Sequence, residues 1–126
     1  MLDVLIVDND DETRLSYAAF LRLSGLSVES EPNALAALRV LGKKPVLVVV
    51  SGDTRYGPTG LSLLETVRSR WPKTGRVLFT KEPGSPQRAI ALGALVLSKR
   101  DSPNDVRRAI IAEVQDAERR HQDSTR

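Results

Sequence analysis

The amino-acid sequence predicts an α/β domain: a doubly wound parallel sheet of five strands with helices on both faces. Three observations predict it. Short apolar segments recur along the chain and alternate with stretches of helical spacing. The strongest segment, Val46–Val50, is β-branched almost throughout and unbroken, which suits a strand covered on both faces. Glycine, proline and small polar residues punctuate the boundaries between segments.

In chain order, the first strand is expected at Val4–Val7 and the second, weaker one at Leu26–Ser30. The third is Val46–Val50, the fourth Arg76–Thr80 and the fifth Leu95–Ser98. Between them, Leu15, Ala18, Ala19 and Leu23 recur at helical spacing. So do Leu61, Leu64, Val67 and Trp71, and later Val106, Ala109, Ile110 and Val114. Asp10 or Asp11 can cap the first helix, Asn33 the second, and Ser102 the last, with Pro103 in its first turn. Gly25, Gly42 and Gly93 stand where a helix should stop, and Pro72 closes the third helix. Five strands in so short a chain suit the flavodoxin-like order 2-1-3-4-5. The ordered domain is expected over residues 1–117, with a polar C-terminal tail over 118–126.

Composition narrows the function. With 126 residues the chain makes one ordinary domain, and 40% hydrophobic with 28% charged residues is a soluble, globular balance. No cysteine is present, which removes disulfides and thiolate metal sites. The single histidine, His121, lies near the end, which argues against a Ser–His–Asp triad or a histidine zinc site. No apolar run could span a bilayer, and Asp3 stands where a secretory signal would carry a cation. A cytoplasmic protein is expected. A net charge of +3 without a basic stripe, and with 4% aromatic residues, makes nucleic-acid binding a minor alternative.

In an open α/β sheet, ligands sit beyond the carboxyl ends of the strands, beside the point where strand order reverses. The residues there are Asp8, Asn9, Asp10 and Asp11 after strand one, and Ser51, Gly52 and Asp53 after strand three. Thr80 and Lys81 follow strand four, and Lys99 and Arg100 follow strand five. Carboxylates, hydroxyls and lysines on one edge suit a hard divalent cation and a phosphoryl group.

The segments Val4-Leu-Ile-Val-Asp8, Pro45-Val-Leu-Val-Val-Val-Ser51, Val77-Leu-Phe-Thr80 and Gly93-Ala94 leading to Leu97-Ser98-Lys99 resemble the response-regulator receiver family of two-component signalling. The resemblance runs from Val4 to about Ala117. It implies two acids that help bind magnesium, an aspartate that accepts a phosphoryl group from a histidine kinase, and a hydroxyl and a lysine that hold the phosphoryl oxygens. A partner then reads the surface formed by helix 4, strand 5 and helix 5. Carried over residue by residue, Asp8 matches the first acid, Thr80 the switch hydroxyl and Lys99 the lysine. Asn9 stands in place of the second acid and Ser51 in place of the acceptor. Val96 replaces the usual aromatic switch residue, Lys81 a small residue, and Arg100 a proline.

These departures imply an atypical member. A serine needs a base to become a nucleophile, and no histidine is at hand. Ser51 then reads as a small polar strand end. Asp53, two residues on, is the alternative acceptor or an ordinary turn aspartate, and with Asp8 and Asn9 it completes the candidate metal set. Asp8 caps the helix, holds magnesium or pairs with a lysine. Lys99 grips a phosphoryl oxygen or forms a salt bridge to Asp8, the latter favoured because a buried charge needs a partner. Lys81 is a candidate to fill the same pocket as a built-in cation. Thr80 is a switch hydroxyl or simply a good strand-end residue.

The expectation is a stand-alone pseudo-receiver, not an enzyme, that acts by protein–protein contact without aspartyl phosphorylation. No cofactor is expected. Magnesium enters only if the domain is a phosphoacceptor using Asp53. A histidine kinase and a second copy of the chain are the candidate partners.

Overall fold

The computed structural model describes residues 1–52, 59–81 and 87–123. The chain alternates strand and helix throughout: β1 (Leu2–Val7), α1 (Asp11–Leu23), β2 (Val28–Glu31), α2 (Ala34–Lys43), β3 (Val46–Ser51), α3 (Gly60–Arg70), β4 (Gly75–Thr80), α4 (Gln87–Ala91), β5 (Leu95–Ser98) and α5 (Pro103–Asp123). The five strands form one sheet in the order β2-β1-β3-β4-β5, and all four pairings are parallel. This is the predicted flavodoxin-like arrangement, with the order reversing between β1 and β3.

The strand sequences explain the layering. All six residues of β3 are buried, as its unbroken Val-Leu-Val-Val-Val run requires of a central strand. Val48 and Val50 turn to one face, where Ala18 and Leu21 of α1 and Val106, Ile110 and Val114 of α5 cover them. Val49 turns to the other face, against Ala34 and Ala37 of α2 and Leu63, Leu64 and Val67 of α3. The alternation of side chains along a strand thus splits the core into two layers.

Local signals place the helix ends. Asn33 accepts a hydrogen bond from the Ala36 amide at 2.9 Å and caps α2 as expected. Ser102 accepts from the Asp105 amide at 3.2 Å and opens α5. Gly25 and Gly93 follow α1 and α4 with φ of 90° and 67°, a conformation glycine adopts at little cost.

Four sequence expectations need correction. The buried stripe of α1 is Ala18 and Leu21, not Leu15, Ala19 and Leu23. Leu15 is 55% exposed and Leu23 87% exposed. Arg14 stands on the same inward face, one and two turns before Ala18 and Leu21, and its guanidinium donates to the Asp8 carbonyl at 2.8 Å. Asp10 stands at the N-cap of α1, but its carboxylate makes no capping bond and instead accepts from the Thr13 hydroxyl at 2.6 Å. Gly42 lies inside α2, which ends at Lys43 with Lys44 as its C-cap. Finally, α5 runs to Asp123, so residues 118–123 are helical where a polar tail is expected. Arg120 anchors that stretch, its Nε donating to the Lys73 carbonyl at 3.2 Å.

Candidate functional site

The strand order brings the ends of β1, β3, β4 and β5 to one edge, and backbone bonds fasten them. The Gly52 amide donates to the Val7 carbonyl at 2.7 Å, and the Lys99 amide to the Thr80 carbonyl at 2.9 Å. Asp8, Ser51, Thr80 and Lys99, chosen from sequence, therefore converge. Asp53 lies outside the described residues.

Asp8 is at the centre, with 1% of its surface exposed. Its Oδ1 accepts from the Asp10 amide at 2.9 Å, a local turn that fixes the carboxylate. Its Oδ2 lies 2.6 Å from the Lys99 ammonium, which is itself buried. That oxygen has no other hydrogen-bonding partner among the described residues, so the lysine charge is its compensation. The expected salt bridge is formed. The Lys99 ammonium also faces the Phe79 ring at 6.0 Å from its centroid. Tyr17 packs edge-on against that ring, 5.1 Å between centroids. Burial raises the Tyr17 phenol above its ordinary pKa, and Asp101 adds to the shift.

Ser51 is fully buried, and its hydroxyl donates to the Gly60 carbonyl at 2.9 Å, tying the end of β3 to the start of α3. It is a strand-end anchor, in keeping with the reading of a small polar terminus. Asn9 is half-buried beside Asp8 and brings no charge. Thr80 is half-buried at the end of β4. Lys81 is exposed at the end of β4. It is nonetheless felt at Asp10. That carboxyl is lowered chiefly by the Thr13 hydrogen bond, which outweighs desolvation, and Lys99 and Lys81 add to the lowering. Val96 is half-buried against the α2–α3 core layer, and Arg100 is exposed.

Two glycines to which the sequence assigns no role shape the site. A Cβ on Gly52 would meet Asp8 Oδ2 at 2.1 Å and the Phe79 carbonyl at 3.1 Å. A Cβ on Gly60 would meet the Gly52 carbonyl at 2.3 Å and the Ser51 hydroxyl at 3.0 Å. Both glycines allow the two backbones to close over Ser51. Nothing local marks this need, because the contacts join residues from separate strands and a loop.

The described residues do not fit a magnesium centre. The ion requires near-octahedral oxygen ligands and net negative charge. Here the Asp8 carboxylate already holds an ammonium, Asn9 beside it is a neutral amide, and the Ser51 hydroxyl is committed to a carbonyl, while Asp53, the third candidate ligand, lies outside the described residues. No group of three acids or histidines that could hold a metal occurs among the described residues.

No protein-family model matches the chain. Solved structures and curated relatives do. A CheY-like response regulator receiver domain protein from Methanospirillum hungatei superposes with a TM-score of 0.84 at 22% identity, covering 94% of this chain and 98% of that one. CheY4, a chemotaxis protein of Vibrio cholerae, gives 0.79 at 27% identity, covering 89% and 98%. An NtrX-like response regulator of Rickettsia bellii is 35% identical over 74 residues, which is 57% of this chain and 16% of the length of that relative. In its fold and strand order the chain is thus similar to the receiver domains of response regulators, and it spans about one sixth of the length of the curated relatives it matches.

Proposed function

We propose that this receiver-type domain passes a signal by protein–protein contact, without phosphorylation of an aspartate and without magnesium. The observation that carries the reading is the buried Asp8–Lys99 pair beside a serine whose hydroxyl is committed to Gly60. An acceptor site must bring a carboxylate nucleophile and a divalent cation together. At this edge Ser51 stands at the acceptor position, and the Asp8 carboxylate is neutralised by Lys99.

The surface formed by α4, β5 and α5 is the proposed partner face. Ile90 is 62% exposed and Leu95 36% exposed there, while the buried stripe of α5 leaves Arg108 turned to solvent. Apolar side chains rimmed by charge suit a protein partner, such as a histidine kinase or a second copy of the chain. No helix among the described residues is long and apolar enough to cross a membrane. A cytoplasmic location is part of the proposal.

Intact mass after incubation with acetyl phosphate and magnesium tests the reading, with an ordinary receiver labelled in parallel. The expected result is an unmodified chain and a melting temperature that magnesium leaves unchanged, since a ligand that does not bind the native state cannot stabilise it. A single phosphoryl adduct that disappears in Asp53→Asn would overturn the proposal and make Asp53 the acceptor.

A further inference from the structure

At the sheet edge opposite β5, the edge strand β2 borders a cleft of about 590 Å³. The cleft runs between β2, the end of α1 and the outer side of α2. The Val4 amide donates to the Ser27 carbonyl at 3.0 Å and the Asp8 amide to the Glu31 carbonyl at 3.1 Å. These bonds fix the alternation along the strand, so the backbone groups of Val28 and Ser30 turn toward the open edge. Arg22 covers one of them, donating to the Val28 carbonyl from Nε at 3.2 Å and Nη2 at 2.8 Å. The backbone of Ser30 remains on the cleft wall.

The cleft is unevenly charged. Lys44 and Glu29 neutralise each other at 2.8 Å. Arg22, Arg39 and Lys43 then face a single further acid, Glu31. Arg39 and Lys43 are exposed and join no ion pair among the described residues. They stand four residues apart on α2, which separates them by about 6 Å along the helix. Alternate side chains of an extended peptide are separated by about 6.7 Å and lie on one side of it. An edge that offers backbone groups, beside two cations at that spacing, matches a strand with acids at every second position.

We propose that this edge docks an extended acidic segment of a partner protein. Ser30 pairs with the backbone of the segment, and Arg39 and Lys43 take its alternating carboxylates. The site is separate from the α4–β5–α5 face and needs no particular answer at Ser51 or Asp53, so its test and the phosphorylation test can fail independently.

The probe is a blocked six-residue peptide of alternating valine and glutamate, titrated into the isotope-labelled chain and followed by amide chemical shifts. Saturable shifts at Ser30, Arg39 and Lys43 are expected. Arg39→Glu combined with Lys43→Glu should weaken the binding at least about tenfold, since both changes are charge reversals of exposed residues facing the peptide. Replacing the valines with proline should abolish it, because proline cannot donate to a strand edge. Three results would each overturn the proposal: no saturable binding; equal binding of the proline peptide; or the same shifts with pyrophosphate alone, which would mean a small-anion site.

Discussion

Lys99→Met is expected to cost about 3–5 kcal/mol in urea unfolding, the range for leaving one partner of a buried ion pair uncompensated. Few single changes in a domain of this size should do more harm, because total stability is only about 5–15 kcal/mol. The reason is the position of the Asp8 carboxylate. It is 1% exposed, and the ammonium 2.6 Å from Oδ2 is the compensation for that oxygen among the described residues. Methionine fills the aliphatic space of the lysine and removes only its charge. Adding Asp8→Asn should therefore recover most of the loss. The amide keeps the acceptor for the Asp10 amide and no longer buries a charge. Additive costs in the double variant would show that the pair contributes little and that Lys99 acts through packing.

Gly52→Ala is expected to destabilise by about 1–3 kcal/mol or more, the usual consequence of forcing a methyl group into filled space. Its Cβ would lie 2.1 Å from Asp8 Oδ2, with the Phe79 backbone at 3.1 Å behind it, so relief requires displacing the carboxylate from Lys99. Gly42→Ala is the internal control. Gly42 is helical and a Cβ there meets nothing within 4 Å. It should stabilise by about 0.5–1 kcal/mol through lost freedom in the unfolded chain. Paired chemical denaturation curves check both signs. Equal stabilisation at the two positions would mean that the end of β3 is looser than the contacts require.

Strand existence was legible because it depends on patterns within short windows, and strand order because five strands alternating with helices in so short a chain suit one common arrangement. Val46–Val50 could hardly be anything but a central strand, and Gly25 and Gly93 stop helices for local backbone reasons. The first helix was harder. Leu15, Ala19 and Leu23 have ideal spacing, yet they face outward. The inward face includes Arg14, whose reach to the Asp8 carbonyl no hydrophobic pattern reveals. The end of α5 was misjudged for a related reason: residues 118–123 are polar, but Arg120 reaches back to Lys73, 47 positions earlier.

The site divides in the same way. Asp8 and Lys99 could be paired from sequence because two opposite charges buried at the same edge of the sheet need each other, even with β3 and β4 between their strands. The tasks of Gly52 and Gly60 could not be read, because each exists only once another backbone lies against it.

The length of α5 has a mechanical consequence. Its 21 residues make a rod about 31 Å long, whereas the six-residue strands beneath it span about 20 Å. The rod starts just past Lys99, and near its other end Arg120 grips the carbonyl of Lys73 in the turn before β4. Pivoted at Pro103, a tilt of only about five degrees would carry the far end through about 3 Å of arc. A change of side-chain partner at one pole of the domain would thus be geared up into a displacement at the other, with the turn before β4 as the part that is pulled.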